Sequence, residues 1–170
     1  GPAVAWEITF LEHYQSFGFA TGSPEHKGYA AELEATQASV KRMREAGIRV
    51  LVGGDYGLNI TPHGTYAKEL QYFTDYFGFS PGEALQAATK HGGEAFMPDG
   101  SLGTLEAGKI ADMVIVKGNP LEQIGVLQDA DAIAAVIKEG QIYTGLLDNQ
   151  SPHQKNAEQL NQLLGARPCN

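Results

Sequence analysis

Between Ala30 and Ala46, Leu33, Thr36, Val40 and Met43 recur at three- and four-residue intervals with charges between them, and Gly47 follows. That spacing predicts an amphipathic helix over 30–46, with the glycine just past its end. The period then changes. "IRVLVGG" is a continuous β-rich apolar run closed by glycines, which predicts a strand over 48–54 buried on both faces. A helix, a tight glycine turn and a buried strand together indicate an α/β unit. After a loop at "LNITPHG", the stretch "TYAKELQYFTDYFG" predicts a helix over 65–77 with Tyr72, Phe73, Tyr76 and Phe77 turned inward. In "FSPGEALQAATKHGG", Ser80 is a natural N-cap, Pro81 suits the first helical position and Glu83 completes a capping box. The helix is expected over 81–92, with Gly92 and Gly93 ending it. Ahead of all this, residues 3–29 are rich in aromatics but hold no sustained period, which suits a long ordered loop or a short helix.

The later part of the chain changes character. "LGTLEAGKIADMVIV" reads as a hairpin turning at Ala107-Gly108-Lys109, with strands over 102–106 and 112–116. "AIAAVIKEGQIYTG" reads as a second, with strands over 133–138 and 141–144 and Glu139-Gly140 at the bend. Residues 148–170 form a polar, Gln- and Asn-rich tail with a surface helix expected over 156–164. The organisation is therefore α/β over 1–95, short antiparallel strands over 96–147, and the tail. One buried strand of parallel type cannot complete a sheet alone, so the chain is expected either to self-associate as a homo-oligomer or to belong to something larger.

Composition narrows the partners. With 12 Lys and Arg against 20 Asp and Glu, the formal net charge is -8, and the one basic cluster, "KRMR", lies within a helical stretch. Nucleic acid is not an expected partner. Cys169 is the single cysteine, so neither an internal disulfide nor a cysteine metal site is available. No apolar stretch reaches the roughly 20 residues that span a bilayer, and no basic-then-apolar leader opens the chain, so no membrane partner is expected. The opening "GP" lacks a starting Met. A trimmed start is expected from it, which leaves the compartment unassigned, with a soluble cytoplasmic one favoured and secretion still open.

Five blocks in order, "VGGDYG", "PHGTYAKEL", "SPGEALQAATKHGGEAFM", "LGTLEAGKIADMVIVKGNPLEQI" and "IAAVIKEGQIY", closely resemble the C-terminal third of the amidohydrolase superfamily. Within it they look most like the imidazolonepropionase-like and Xaa-Pro dipeptidase-like branch. The resemblance covers about residues 30–145 and implies the C-terminal portion of a metal-dependent (β/α)8 barrel with strands of a small β-sandwich. It also accounts for the lone carboxylate after the apolar run. In the family, an Asp after the eighth barrel strand stands at the face where catalytic groups of such barrels gather. There it binds a divalent metal, zinc first among the candidates, and relays a proton from the metal's water. Asp55 occupies that position, as metal ligand and catalytic residue by resemblance. Many relatives carry Ser or Thr before the Asp; here it is Gly54.

The family's His-x-His pair, its bridging carboxylate or carboxylated lysine and its two later histidines belong to sequence upstream. His13, His26, His63, His91 and His153 show no His-x-His spacing, and a catalytic zinc takes about three protein ligands. The chain alone is thus expected to bind no catalytic metal and to lack hydrolase activity; its partners would be the upstream part of the barrel, on the same or a separate chain, and a small amide or dipeptide substrate. Each residue also has a plainer reading. Asp55 could cap the loop that follows it. His63 could meet a substrate carboxylate or carbonyl, or bond backbone within its own loop. Tyr56 could line the substrate pocket or only pack the loop. Lys109 and Asp112 suit turn and packing roles, and His91, near a helix C-terminus where a cation is favoured, takes no chemistry. Three functions follow: part of a hydrolase of amide or peptide-type C–N bonds, a non-catalytic self-associating fragment, or part of a hydrolase of lactams or esters.

Overall fold

The computed structural model describes residues 1–143. Its longest element is α2, Pro24–Glu45, which begins six residues before the sequence pattern places it. Ser23 caps it, its hydroxyl accepting the His26 N–H at 3.2 Å, and Pro24 sits in the first turn. The start signal is thus the same Ser-Pro pair that opens the helix at Ser80. Residues 3–29, expected as loop or short helix, hold α1, Ala5–His13, followed by a 3-10 turn, Tyr14–Phe17. Phe10 anchors that region, stacked on Phe17 at 5.5 Å and against Tyr29 of α2 at 4.1 Å.

Helix α3 spans Lys68–Phe77, and a second helical stretch runs as α4, Pro81–Gln86, a π turn, Ala87–His91, and α5, Gly92–Phe96. The capping box is present in full: Ser80 accepts the Glu83 N–H while the Glu83 carboxylate accepts the Ser80 N–H at 2.8 Å. Gly92 and Gly93 do not end this helix. A side chain at Gly93 would sit 2.5 Å from the Leu102 carbonyl oxygen, so the glycine lets the helix press against the following loop. Arg44 ties α2 to both neighbours. Its guanidinium donates to the Phe77 and Gly78 carbonyls at 2.9 and 2.7 Å, pairs with Glu83 at 2.9 Å and lies 4.0 Å over the Phe79 ring. The α3 carbonyls left open at its C-terminus are satisfied this way.

Helices α1, α2 and α3 enclose one core in which Val4, Ile8, Leu33, Val40, Val50 and Phe73 are buried. Phe73 is fully enclosed, edge-on to Phe77 at 5.6 Å. Tyr72 and Phe77 are buried too, as the aromatic pattern predicts, while Tyr76 is half-buried.

The expected strand over 48–54 is not found as a strand. Nor is it buried on both faces: Val50 faces the core, but Ile48, Arg49 and Gly53 are exposed. The run meets no ladder among the described residues, and the Ala3 N–H donates to its Gly53 carbonyl at 3.1 Å. A strand exists by pairing, and a parallel one needs neighbours distant in sequence. The expected strand over 102–106 is absent for a different reason: the Ile110 N–H reaches back to the Ser101 carbonyl at 2.9 Å, so the turn closes on itself before an arm can pair.

The C-terminal strands form one antiparallel sheet in the order β1-β2-β3: Met113–Val116, Ile133–Lys138 and Gln141–Ile142. Glu139 and Gly140 have φ of 52° and 78°, the two positive values that a tight type I′ hairpin requires. Alternation buries Ala135 and Ile137 on one face. The Asp112 carboxylate accepts the Glu139 N–H at 2.8 Å, and Lys109 bonds Thr104 and Glu106, so both residues of the "GKIADM" stretch serve turns. The helix expected over 156–164, the tail 148–170 and the last residue of the strand expected over 141–144 lie outside the described residues. No helix among the described residues is long and apolar enough to cross a membrane.

Candidate functional site

Asp55 follows the apolar run 48–54, and it is exposed. The loop beyond it closes on backbone alone: the Gly57 N–H donates to the Thr61 carbonyl at 2.8 Å and the Thr61 N–H returns to Leu58 at 3.1 Å. That closure does not call on the Asp55 side chain. Next to Asp55 in the chain, Tyr56 belongs to a small group of aromatic and titratable residues.

Tyr56 is half-buried, its ring edge-on to Tyr66 at 4.8 Å. Burial, and then the nearby Glu69 carboxylate, push its hydroxyl well above the ordinary tyrosine range. His63 is exposed and its Nδ1 lies 2.7 Å from the Tyr66 hydroxyl. The backbone bond imagined for a loop histidine is thus replaced by one to a side chain. With Nδ1 engaged, Nε2 is the ring atom left for another partner; it packs near Gly57, where an added Cβ would lie 3.0 Å away. The structure brings Tyr56 and His63 together through Tyr66, a residue that spacing alone did not single out.

Glu69 was also missed, although its signal is visible in the sequence. It shares the inward stripe of α3 with Tyr72, Phe73 and Tyr76 at three- and four-residue spacings, which is an unusual place for a carboxylate. It is 1% exposed. One oxygen accepts the Ala5 N–H at 3.2 Å, and the other has no partner among the described residues. Burial raises its pKa from the ordinary carboxylate value, against the lowering by the Ala5 bond. Gly54 passes directly over it: a methyl there would overlap both the Glu69 Oε1 and the Tyr56 ring. This explains why glycine precedes Asp55.

A cleft of about 360 Å³ lies elsewhere, between α2 and the start of the apolar run, lined by Pro2, Val40, Met43, Arg49 and Val50. None of Asp55, Tyr56, His63 or Tyr66 borders it. Nor does any group of three His, Cys, Asp or Glu residues come close enough to hold a metal among the described residues.

A family model described as "Amidohydrolase family" matches residues 13–143, most of the chain. The chain belongs to the amidohydrolase family. This amidohydrolase chain is 34% identical over 116 residues to ochratoxinase of Aspergillus niger, covering 68% of this chain and 22% of that protein. It is 31% identical over 110 residues to imidazolonepropionase of Symbiobacterium thermophilum, covering 65% and 26%. The crystal structure of the A. niger ochratoxinase superposes with a TM-score of 0.66 at 26% identity over 80% of this chain and 30% of that one. A prolidase complexed with N-methylphosphonate-L-proline superposes with a TM-score of 0.64 at 28% identity, over 81% and 33%. The chain thus spans between a fifth and a third of the length of these relatives. The family and its hydrolases carry over to this chain as relatives; the described structure itself is a mixed helical and strand unit with a small antiparallel sheet.

Proposed function

We propose that this chain is the C-terminal part of a metal-dependent amidohydrolase that cleaves an amide or peptide-type C–N bond with activated water, and that it is inactive without its upstream portion. One observation carries the reading: the family match runs through an exposed Asp55 that the local fold does not use, at the end of an apolar run with no ladder among the described residues. In the complete protein that run, residues 48–54, is the eighth barrel strand, paired with strands from upstream on the same or a separate chain.

Asp55 fits one ligand position of a divalent metal, zinc first among the candidates, since a carboxylate is a suitable oxygen donor and this one is open to solvent. The remaining donors come from upstream. When bound, such a metal lowers the pKa of water to near ~7 and so supplies hydroxide at neutral pH. The Asp55 carboxylate takes the proton released on attack and hands it to the departing nitrogen, as a general base that becomes a general acid. His63, oriented by the Tyr66 hydroxyl, uses Nε2 to meet the substrate's carboxylate or carbonyl oxygen. Tyr56 and Tyr66 form an aromatic wall beside it. The substrate is a small molecule, and association into homo-oligomers is compatible with this arrangement.

The test is hydrolysis by the full-length protein of N-acyl amino acids, Xaa-Pro dipeptides and lactams, before and after chelation. Cleavage of at least one C–N substrate, lost on chelation and restored by zinc, is expected. Hydrolysis of esters alone, or of amides with full rates after chelation, would overturn the proposal.

A further inference from the structure

Glu69 is not among the groups that meet substrate, yet its placement asks for a reason. A fully buried carboxylate with one hydrogen bond is a costly feature, and here it touches two things at once. Oε1 accepts the Ala5 N–H at the start of α1, and the same oxygen lies so close beneath Gly54 that only glycine fits there. The Tyr56 ring crowds the same side of Gly54. The residue between Gly54 and Tyr56 is Asp55. A second tie runs parallel to the first, from the Ala3 N–H to the Gly53 carbonyl at 3.1 Å. The backbone carrying Asp55 is thus gripped from the α1 side at Gly53 and from the α3 side at Gly54.

We propose that Glu69 is a positioning residue: its buried carboxylate, bonded to Ala5 and packed under Gly54, sets the place of the backbone that carries Asp55. The inference rests on the role of Asp55 proposed above. Glu69 touches no reacting atom; it acts by holding Asp55 where proton transfer occurs. Displacements of about 1 Å at a catalytic group can cost on the order of 10²-fold in rate.

The experiment compares Glu69→Gln, Glu69→Ala, Glu69→Asp and Gly54→Ala in the full-length enzyme, with Asp55→Asn alongside and rates taken well below each thermal midpoint. Glu69→Gln keeps both the volume and an acceptor for Ala5, so its kcat should stay within about 3-fold of the parent. Glu69→Ala and Glu69→Asp, which withdraw the carboxylate from Gly54, should lower kcat by roughly 10-fold to 10²-fold with KM little changed. Gly54→Ala should lower kcat similarly, and in the Glu69→Ala background its added cost should shrink in part, because one of the two groups that crowd the methyl is then gone and the Tyr56 ring remains. A strut of purely structural value would lower the thermal midpoint while leaving kcat intact, and that result in Glu69→Ala overturns the inference. If Glu69→Ala does not fold, an unchanged kcat in Glu69→Asp overturns it equally. An inactive Asp55→Asn beside fully active Glu69 variants would sink this inference alone; an active Asp55→Asn would sink the reading beneath it.

Discussion

The two halves of the described chain treat their backbone groups differently. From Met113 to Ile142, each strand finds its neighbour within about two dozen residues, and a tight turn at Glu139-Gly140 sets the register. The run at 48–54 carries Ile48, Val50, Leu51 and Val52, yet it has no ladder among the described residues. The contrast teaches which backbone groups a chain can pair by itself. Antiparallel pairing is local and self-sufficient, whereas a parallel strand draws its partners from far away in sequence. Asp55 lies at the end of the element whose hydrogen bonds are least met locally, and the sheet, whose bonds are met, carries turn residues such as Asp112 and Lys109.

That contrast can be broken or sharpened by substitution. The largest effect is expected at the centre of the helical half. Phe73→Ala empties the middle of the α1–α3 core and should cost about 3–5 kcal/mol in unfolding free energy by denaturant titration. A cost below about 1 kcal/mol would mean that this half is not organised around Phe73. Next comes His63→Ala in the full-length enzyme. Losing a contact made equally in ground and transition states raises KM, here on the order of 10-fold, with kcat nearly unchanged. A fall in kcat with KM constant would instead give His63 a part in the chemical step. Smaller again is Ser80→Ala, which removes one half of the capping box and should cost about 1 kcal/mol.

The smallest effect is a pH dependence. The Ser80 N–H and hydroxyl, and then Arg44, hold the Glu83 carboxyl below its ordinary value of 4.5. Its stabilisation is therefore complete above that value and is lost as pH falls through the lowered one. Thermal midpoints of the parent and of Glu83→Gln should accordingly differ most near neutral pH and converge in acid. Midpoints that diverge further in acid would contradict the capping geometry.

Much of this was legible in the chain. The capping box at Ser80, the inward aromatics of α3 and the hairpin at Glu139-Gly140 are local signals, and each is met as expected. The start of α2 was equally local, written as Ser23-Pro24, but the aromatic residues around it masked the signal. The run at 48–54 shows the limit: its pattern predicts a strand covered on both faces, but both the pairing and the cover depend on neighbours that the pattern cannot supply, and Ile48 stays exposed. In the site, Asp55, Tyr56 and His63 were readable as candidates because they lie in short recognisable blocks. Glu69 and Tyr66 were not, since their roles arise from contacts across 64 residues in one case and through another side chain in the other. For Glu69 a clue existed, a carboxylate on an apolar stripe, and its meaning required Gly54 to be seen above it.

The central claim is that the Asp55 carboxylate works on the proton of the attacking water in the complete amidohydrolase. Steady-state kinetics of Asp55→Asn in the full-length enzyme, on whichever C–N substrate it cleaves best, tests this most directly. The amide keeps the side chain's shape while removing its charge and its ability to take a proton. A fall in kcat of at least ~10²-fold, with the thermal midpoint unchanged, is the expected result. An Asp55→Asn enzyme with near-parental kcat would contradict it.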